Sequence, residues 1–82
     1  MESNSIRYQK AFVDAFGVDE SAATNLAYQS IQAWDSVGHM ALIATLEEEF
    51  DIELDIDDIT SFSSYSIGAS ILLKYGIDVA AG

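Results

Sequence analysis

The stretch Trp34-Asp35-Ser36-Val37-Gly38-His39-Met40-Ala41-Leu42-Ile43-Ala44-Thr45-Leu46-Glu47-Glu48-Glu49-Phe50-Asp51 decides the fold. Its apolar spacing is helical. His39, Leu42, Ile43, Leu46 and Phe50 fall on one face at about 100° per residue. Asp35 and Ser36 both carry oxygens that can accept from the first free N–H groups of a helix. The spacing therefore predicts a helix from Ser36 to about Phe50, capped by either residue. The opposite face reads Val37, Met40, Ala41, Ala44, Glu47 and Glu48. Its first two turns are apolar where a solvated face should be polar, and its lower turns are acidic. Unless the preceding connection or a later helix covers Val37 and Met40, this is an apolar patch with a carboxylate rim, the pattern of a transient protein interface. The Glu47-Glu48-Glu49 run opposes the helix dipole at a cost of a few tenths of a kcal/mol each, up to ~1, and the sequence shows no folding benefit in return.

Working outward, Tyr8, Phe12, Ala15 and Phe16 form the stripe of an earlier helix over Ser5–Phe16, ended by Gly17. Residues 18–35 form a long connection anchored by Val18, Leu26, Tyr28, Ile31 and Trp34, with a helical turn expected over Ala22–Leu26. After the central helix, Ile52, Glu53, Leu54, Asp55, Ile56 and Asp57 alternate with period two. With no second strand to pair with, this segment reads as an extended linker with buried Ile and Leu anchors. Asp57 or Asp58 is expected to cap a short helix over Ile59–Phe62. Ser63, Ser64 and Ser66 mark a break and a new cap. Ile67, Ile71, Leu72 and Tyr75 are the stripe of a last helix ended by Gly76, and the tail after Ile77 is expected to fray. The expected architecture is all-α: one domain over residues 1–82, a small up-and-down four-helix bundle of three main helices and one short one.

Composition narrows the chemistry. Eighty-two residues suit one small domain. The absence of cysteine removes a disulfide scaffold, a thiolate zinc site and a cysteine nucleophile. The absence of proline and only five glycines favour helices. Three basic residues against 14 acidic ones give a formal net charge of -11. Such a chain repels nucleic-acid phosphates and anionic membrane surfaces and attracts basic protein surfaces. No apolar run reaches membrane-spanning length. Met1-Glu2-Ser3-Asn4-Ser5 has neither the basic nor the apolar region of a secretory signal, so a cytoplasmic monomer is expected. Asp51, Glu53, Asp55 and Asp57 have calcium-loop spacing. However, Ile56 stands where that loop needs glycine and Phe62 where it needs a bidentate acid, so no metal site is expected. His39 lies on the core side without an oxyanion donor set or a third catalytic member, and no glycine-rich phosphate loop is present. The chain reads as a non-enzyme.

Trp34-Asp35-Ser36-Val37-Gly38-His39-Met40 followed by Leu46-Glu47-Glu48-Glu49-Phe50 resembles an acyl carrier protein. Asp35-Ser36-Val37 is similar to that family's Asp-Ser-Leu motif, and length, acidity, helix order, the long first connection and the minor helix agree with it. The resemblance implies that Ser36, beside Asp35, is esterified by 4′-phosphopantetheine donated from coenzyme A. The arm's thiol would then carry an acyl group as a thioester. The partners implied are a phosphopantetheinyl transferase and enzymes of acyl ligase, acyltransferase or ketosynthase type, reading Val37, Met40, Ala41, Ala44, Glu47 and Glu48. Two features depart from the fatty-acid carriers. Gly38 and Ala41 stand where those often have acidic residues, and Trp34 where they usually have a small one. Both point toward carriers of specialised pathways, such as polyketide, peptide or cell-surface polymer modification. The reading that competes with covalent loading is an unmodified acidic helical docking module for a basic protein, in which Ser36 is only a helix cap.

Overall fold

The computed structural model describes residues 3–79. Among them are five helices and no strand: α1 (Asn4–Phe16), α2 (Glu20–Ala23), α3 (Ser36–Phe50), α4 (Ile56–Ser61) and α5 (Tyr65–Leu73). An isolated antiparallel bridge pairs Ala27 with Ser64. The fold is all-α as expected, but with two short helices rather than one. The helical turn expected over Ala22–Leu26 lies earlier: the one-turn helix α2 covers Glu20–Ala23 and shares only Ala22 and Ala23 with that range.

The long helices have local causes. At α1, Ser3 Oγ accepts from the Ile6 N–H at 3.2 Å, and the chain turns off at Gly17, whose φ of 67° a residue without Cβ adopts freely. Asp35 caps α3 by accepting from the Gly38 N–H at 2.8 Å. Asp51 ends α3 in the left-handed region at φ 54°. Ser64 caps α5, accepting from the Ile67 N–H at 3.0 Å.

The C-terminal half departs from expectation in four places. The short helix α4 starts at Ile56, three residues before the expected start, with Asp55 as its boundary residue and no side-chain cap bond. Neither Asp57 nor Asp58 caps it; both sit in its first turn. Leu54 is a buried anchor of the linker and Ile52 a half-buried one, but Ile56 is 78% exposed, because the helix begins there and turns it outward. On α5 the buried residues are Gly68, Ile71 and Leu72, while Ile67 is exposed. Gly68 leaves the space that the Phe62 ring and the Tyr8 hydroxyl fill; a Cβ there would overlap both. Finally, Ile77 and Val79 are packed into the core, so the tail is held as far as Val79. The remainder of the segment expected to fray, residues 80–82, lies outside the described residues.

Aromatic rings fill the centre. Phe12 touches five of them: Tyr8, Phe16, Trp34, Phe62 and Tyr65, at centroid distances of 5.0, 6.1, 5.7, 6.3 and 4.8 Å. Tyr8 is buried and its hydroxyl donates to the Tyr65 carbonyl at 2.6 Å. Burial, reinforced by Tyr65, pushes its phenol far above the ordinary range.

The acidic end of α3 does have a folding role. Arg7 Nε pairs with Glu49 Oε2 at 2.6 Å, Arg7 Nη2 bonds the Glu49 carbonyl, and the guanidinium lies 4.6 Å over the Phe50 ring. Glu47 Oε2 accepts from the Leu54 N–H at 2.9 Å and so fixes the linker.

Asp58 latches α4 to the end of α5. It accepts from Lys74 Nζ and from the Tyr75 hydroxyl, both at 2.6 Å, and the Tyr75 oxygen accepts from the Asp55 N–H at 2.9 Å. The Lys74 and Tyr75 hydrogen bonds hold the Asp58 carboxyl below its ordinary value of 3.8. A depressed folded-state value means stability that is fully present above the unfolded value and lost as pH falls through the folded one. Asp58→Asn is therefore expected to lower the urea midpoint at neutral pH and to flatten its fall below pH ~4. Urea titrations from pH 3 to 7 check this; superimposable curves for the two proteins would show that the latch adds no stability.

Candidate functional site

Ser36 is the first residue of α3 and is exposed. The first N–H groups of a helix have no partner within it. Here the Gly38 N–H donates to the Asp35 side chain and the His39 N–H to the Asp35 carbonyl at 2.7 Å. Asp35 is thus the cap. The Ser36 hydroxyl is left out of the capping geometry, beside the N–H groups of Ser36 and Val37.

The approach to this corner is tightly wrapped. The Ala33 carbonyl lies so close to Gly38 that a Cβ there would overlap it. An acidic side chain at position 38 is therefore excluded by sterics. Trp34, immediately before the cap, is fully buried and stacks on Phe16 at 5.2 Å. Its indole N–H donates to His39 Nδ1 at 3.0 Å. Since Nδ1 accepts, Nε2 carries the proton and donates to the Ile59 carbonyl at 2.7 Å. His39 is a packed, doubly bonded bridge between α3 and α4, with neither nitrogen left to act on Ser36.

A groove of about 390 Å³ opens beside Ser36. One wall is Ser36, His39 and Met40 of α3; the other is Ile59 and Thr60 of α4, continued by Phe62 and Ser63. Tyr28 of the long connection closes one side. Tyr28, Ile59, Thr60, Phe62 and Ser63 are not among the site residues the sequence suggests. They meet only through contacts between elements, and Tyr28 is brought in by the Tyr28 N–H bond to the Ser63 carbonyl at 2.9 Å.

The outer face of α3 is bare. Val37 is 78% and Met40 51% exposed, and Ala41, Ala44 and Glu48 are exposed with them. Nothing in the connection covers Val37 or Met40. Met40 belongs to both the outer face and the groove. Glu47 is a correction: it is half-buried and its carboxylate holds the Leu54 N–H, so it is not a free rim charge. Glu48 is the rim charge that remains.

Chemically, the corner is an accessible hydroxyl at a helix N-terminus with no base positioned to activate it, next to a groove. Among the described residues, no three His, Cys, Asp or Glu side chains converge as metal ligands. No helix among them is long and apolar enough to cross a membrane. A search of protein-family models finds none that matches the chain.

Proposed function

We propose that the protein is an acyl carrier, loaded at Ser36 with 4′-phosphopantetheine. The observation that carries this reading is the exposed Ser36 hydroxyl at the start of the fifteen-residue helix α3, with Asp35 rather than Ser36 filling the cap. The cap bond to the Gly38 N–H is made by Asp35, which leaves the Ser36 hydroxyl available. A phosphodiester at Ser36 suits the site, because the N–H groups of Ser36 and Val37 and the helix dipole favour an anion there despite the acidic chain. The arm would leave from the mouth of the groove. The order of long, short, long, short and moderately long helices, with an extended first connection, agrees with an acyl-carrier fold.

In the loading reaction, Ser36 Oγ attacks the β-phosphorus of coenzyme A. A new P–O bond forms, the bond to the bridging pyrophosphate oxygen breaks, and adenosine 3′,5′-bisphosphate leaves. The hydroxyl proton passes to a base of the phosphopantetheinyl transferase. The thiol then carries the acyl group between ligase, acyltransferase or ketosynthase-type enzymes, with the protein acting as a cytoplasmic monomer and not as a catalyst. Intact mass after incubation with coenzyme A, magnesium and a phosphopantetheinyl transferase of broad carrier tolerance tests this. One phosphopantetheine per chain is expected; no gain would favour the unmodified acidic docking module.

The bare face of α3 is the proposed contact with these enzymes. Rim charge acts on the rate of encounter and is screened by salt, whereas an apolar anchor acts on the lifetime of the complex. Glu48→Lys is expected to slow loading a few-fold at low ionic strength, with salt erasing the difference. Met40→Ala is expected to slow it by a factor nearly independent of salt. Transferase kinetics across a salt series check both; equal salt dependence would mean the face has no such division.

A further inference from the structure

We infer that the acyl cargo is held outside the helical core, with its thioester open to solvent and to partner enzymes. The inference rests on the carrier reading of Ser36 and concerns what that site can take. The groove beside Ser36, about 390 Å³, lies at the surface between α3 and α4. Four hydroxyl-bearing residues, Tyr28, Ser36, Thr60 and Ser63, share its lining with Met40, Ile59 and Phe62.

Below the groove the way inward is closed by rings. Phe62 forms part of the lining and is itself buried. Trp34 lies 6.4 Å from Phe62 and stacks on His39 at 6.2 Å with 15° between planes. Phe12 packs behind both. On the far side of Phe62, Gly68 leaves no room even for one methyl group. A chain entering here would have to displace aromatic side chains from a close-packed interior.

The walls are also tied together. For a long chain to enter, α3 and α4 must separate, and the His39 Nε2–H bond to the Ile59 carbonyl spans that seam at 2.7 Å. The same imidazole accepts from Trp34, so parting the walls also disturbs the indole hydrogen bond. From its other side α4 is pinned by Asp58 to Lys74 and Tyr75. Breaking part-buried polar bonds without replacement is unfavourable. The geometry fits a groove of fixed depth.

The test loads Ser36 from acetyl-, butanoyl- and decanoyl-coenzyme A with the same transferase. The thioester passes through that reaction unchanged. Intact mass first establishes loading; failure with all donors, coenzyme A included, would sink the carrier reading itself. Each loaded protein is then treated with hydroxylamine, whose nitrogen attacks the thioester carbonyl and releases the pantetheine thiol. Each rate is divided by that of the same acyl group on free coenzyme A. Burial of even a few methylenes would protect the thioester about tenfold or more. The expected result is a decanoyl ratio within about fivefold of the acetyl ratio, together with an unchanged melting temperature. A decanoyl ratio lower than that, or a melting temperature that climbs with chain length, would overturn the inference.

Discussion

Ser36→Ala is expected to gain no phosphopantetheine under conditions that load the wild-type chain completely. The hydroxyl oxygen is the atom that would form the new P–O bond, and alanine offers none. The variant should also keep its stability, because the cap belongs to Asp35 and alanine is well tolerated in a first helical turn. Asp35→Ala supplies the contrast. Losing the bond to the Gly38 N–H should cost about 1 kcal/mol, or roughly 4–8 °C in melting temperature for a domain of this size. Intact mass and circular-dichroism melts on the two variants read both halves. A modified Ser36→Ala protein would place the attachment elsewhere, and a strongly destabilised one would mean Ser36 carries structural weight that its exposed position does not suggest.

Phe12→Ala is expected to have the largest effect on stability. Phe12 is fully buried and in ring contact with five aromatic neighbours drawn from α1, the long connection, the segment after α4 and the start of α5. Removing such a ring costs about 3–5 kcal/mol. Total stability at ~0.05–0.15 kcal/mol per residue amounts to roughly 4–12 kcal/mol here. The substitution would therefore remove about a quarter of the total at the least and all of it at the most. Urea unfolding should show a large drop in midpoint at similar slope. A change below ~1 kcal/mol would mean that the neighbouring rings collapse into the space. The site would feel the loss too, since Phe12 backs both Trp34 and Phe62.

Helices α1 and α3 are legible in the sequence because everything that defines them is local: a cap, a stripe and a stop. Ser36 is legible for the same reason, although the choice between Asp35 and Ser36 as cap is not, since both side chains can accept and only backbone geometry separates them. The start of α4 is misread because Asp57 and Asp58 look like caps. What sets Asp58 apart is its pair of partners, Lys74 and Tyr75, sixteen and seventeen residues away. The alternation through Ile56 suggests a buried side chain where the helix turns it outward. Glu47 looks like one more surface acid because its acceptor role depends on where Leu54 returns. The far wall of the groove has no local signature at all: α4 and the Tyr28 loop are positioned by hydrogen bonds to other elements, and periodicity reads one element at a time.

Trp34 turns the corner around Ser36 into its own optical reporter. It is the chain's single tryptophan, so excitation at the red edge, where the four tyrosines absorb little, isolates one indole. That indole is dry, lies flat against His39 and shares its N–H with the imidazole three residues past Ser36. Its emission colour and lifetime therefore sample the corner around Ser36 rather than an average over the fold. Arrival of a partner on α3, occupancy of the groove and parting of α3 from α4 would each change the surroundings of the same fluorophore. All three could be followed in unlabelled wild-type protein on a stopped-flow timescale.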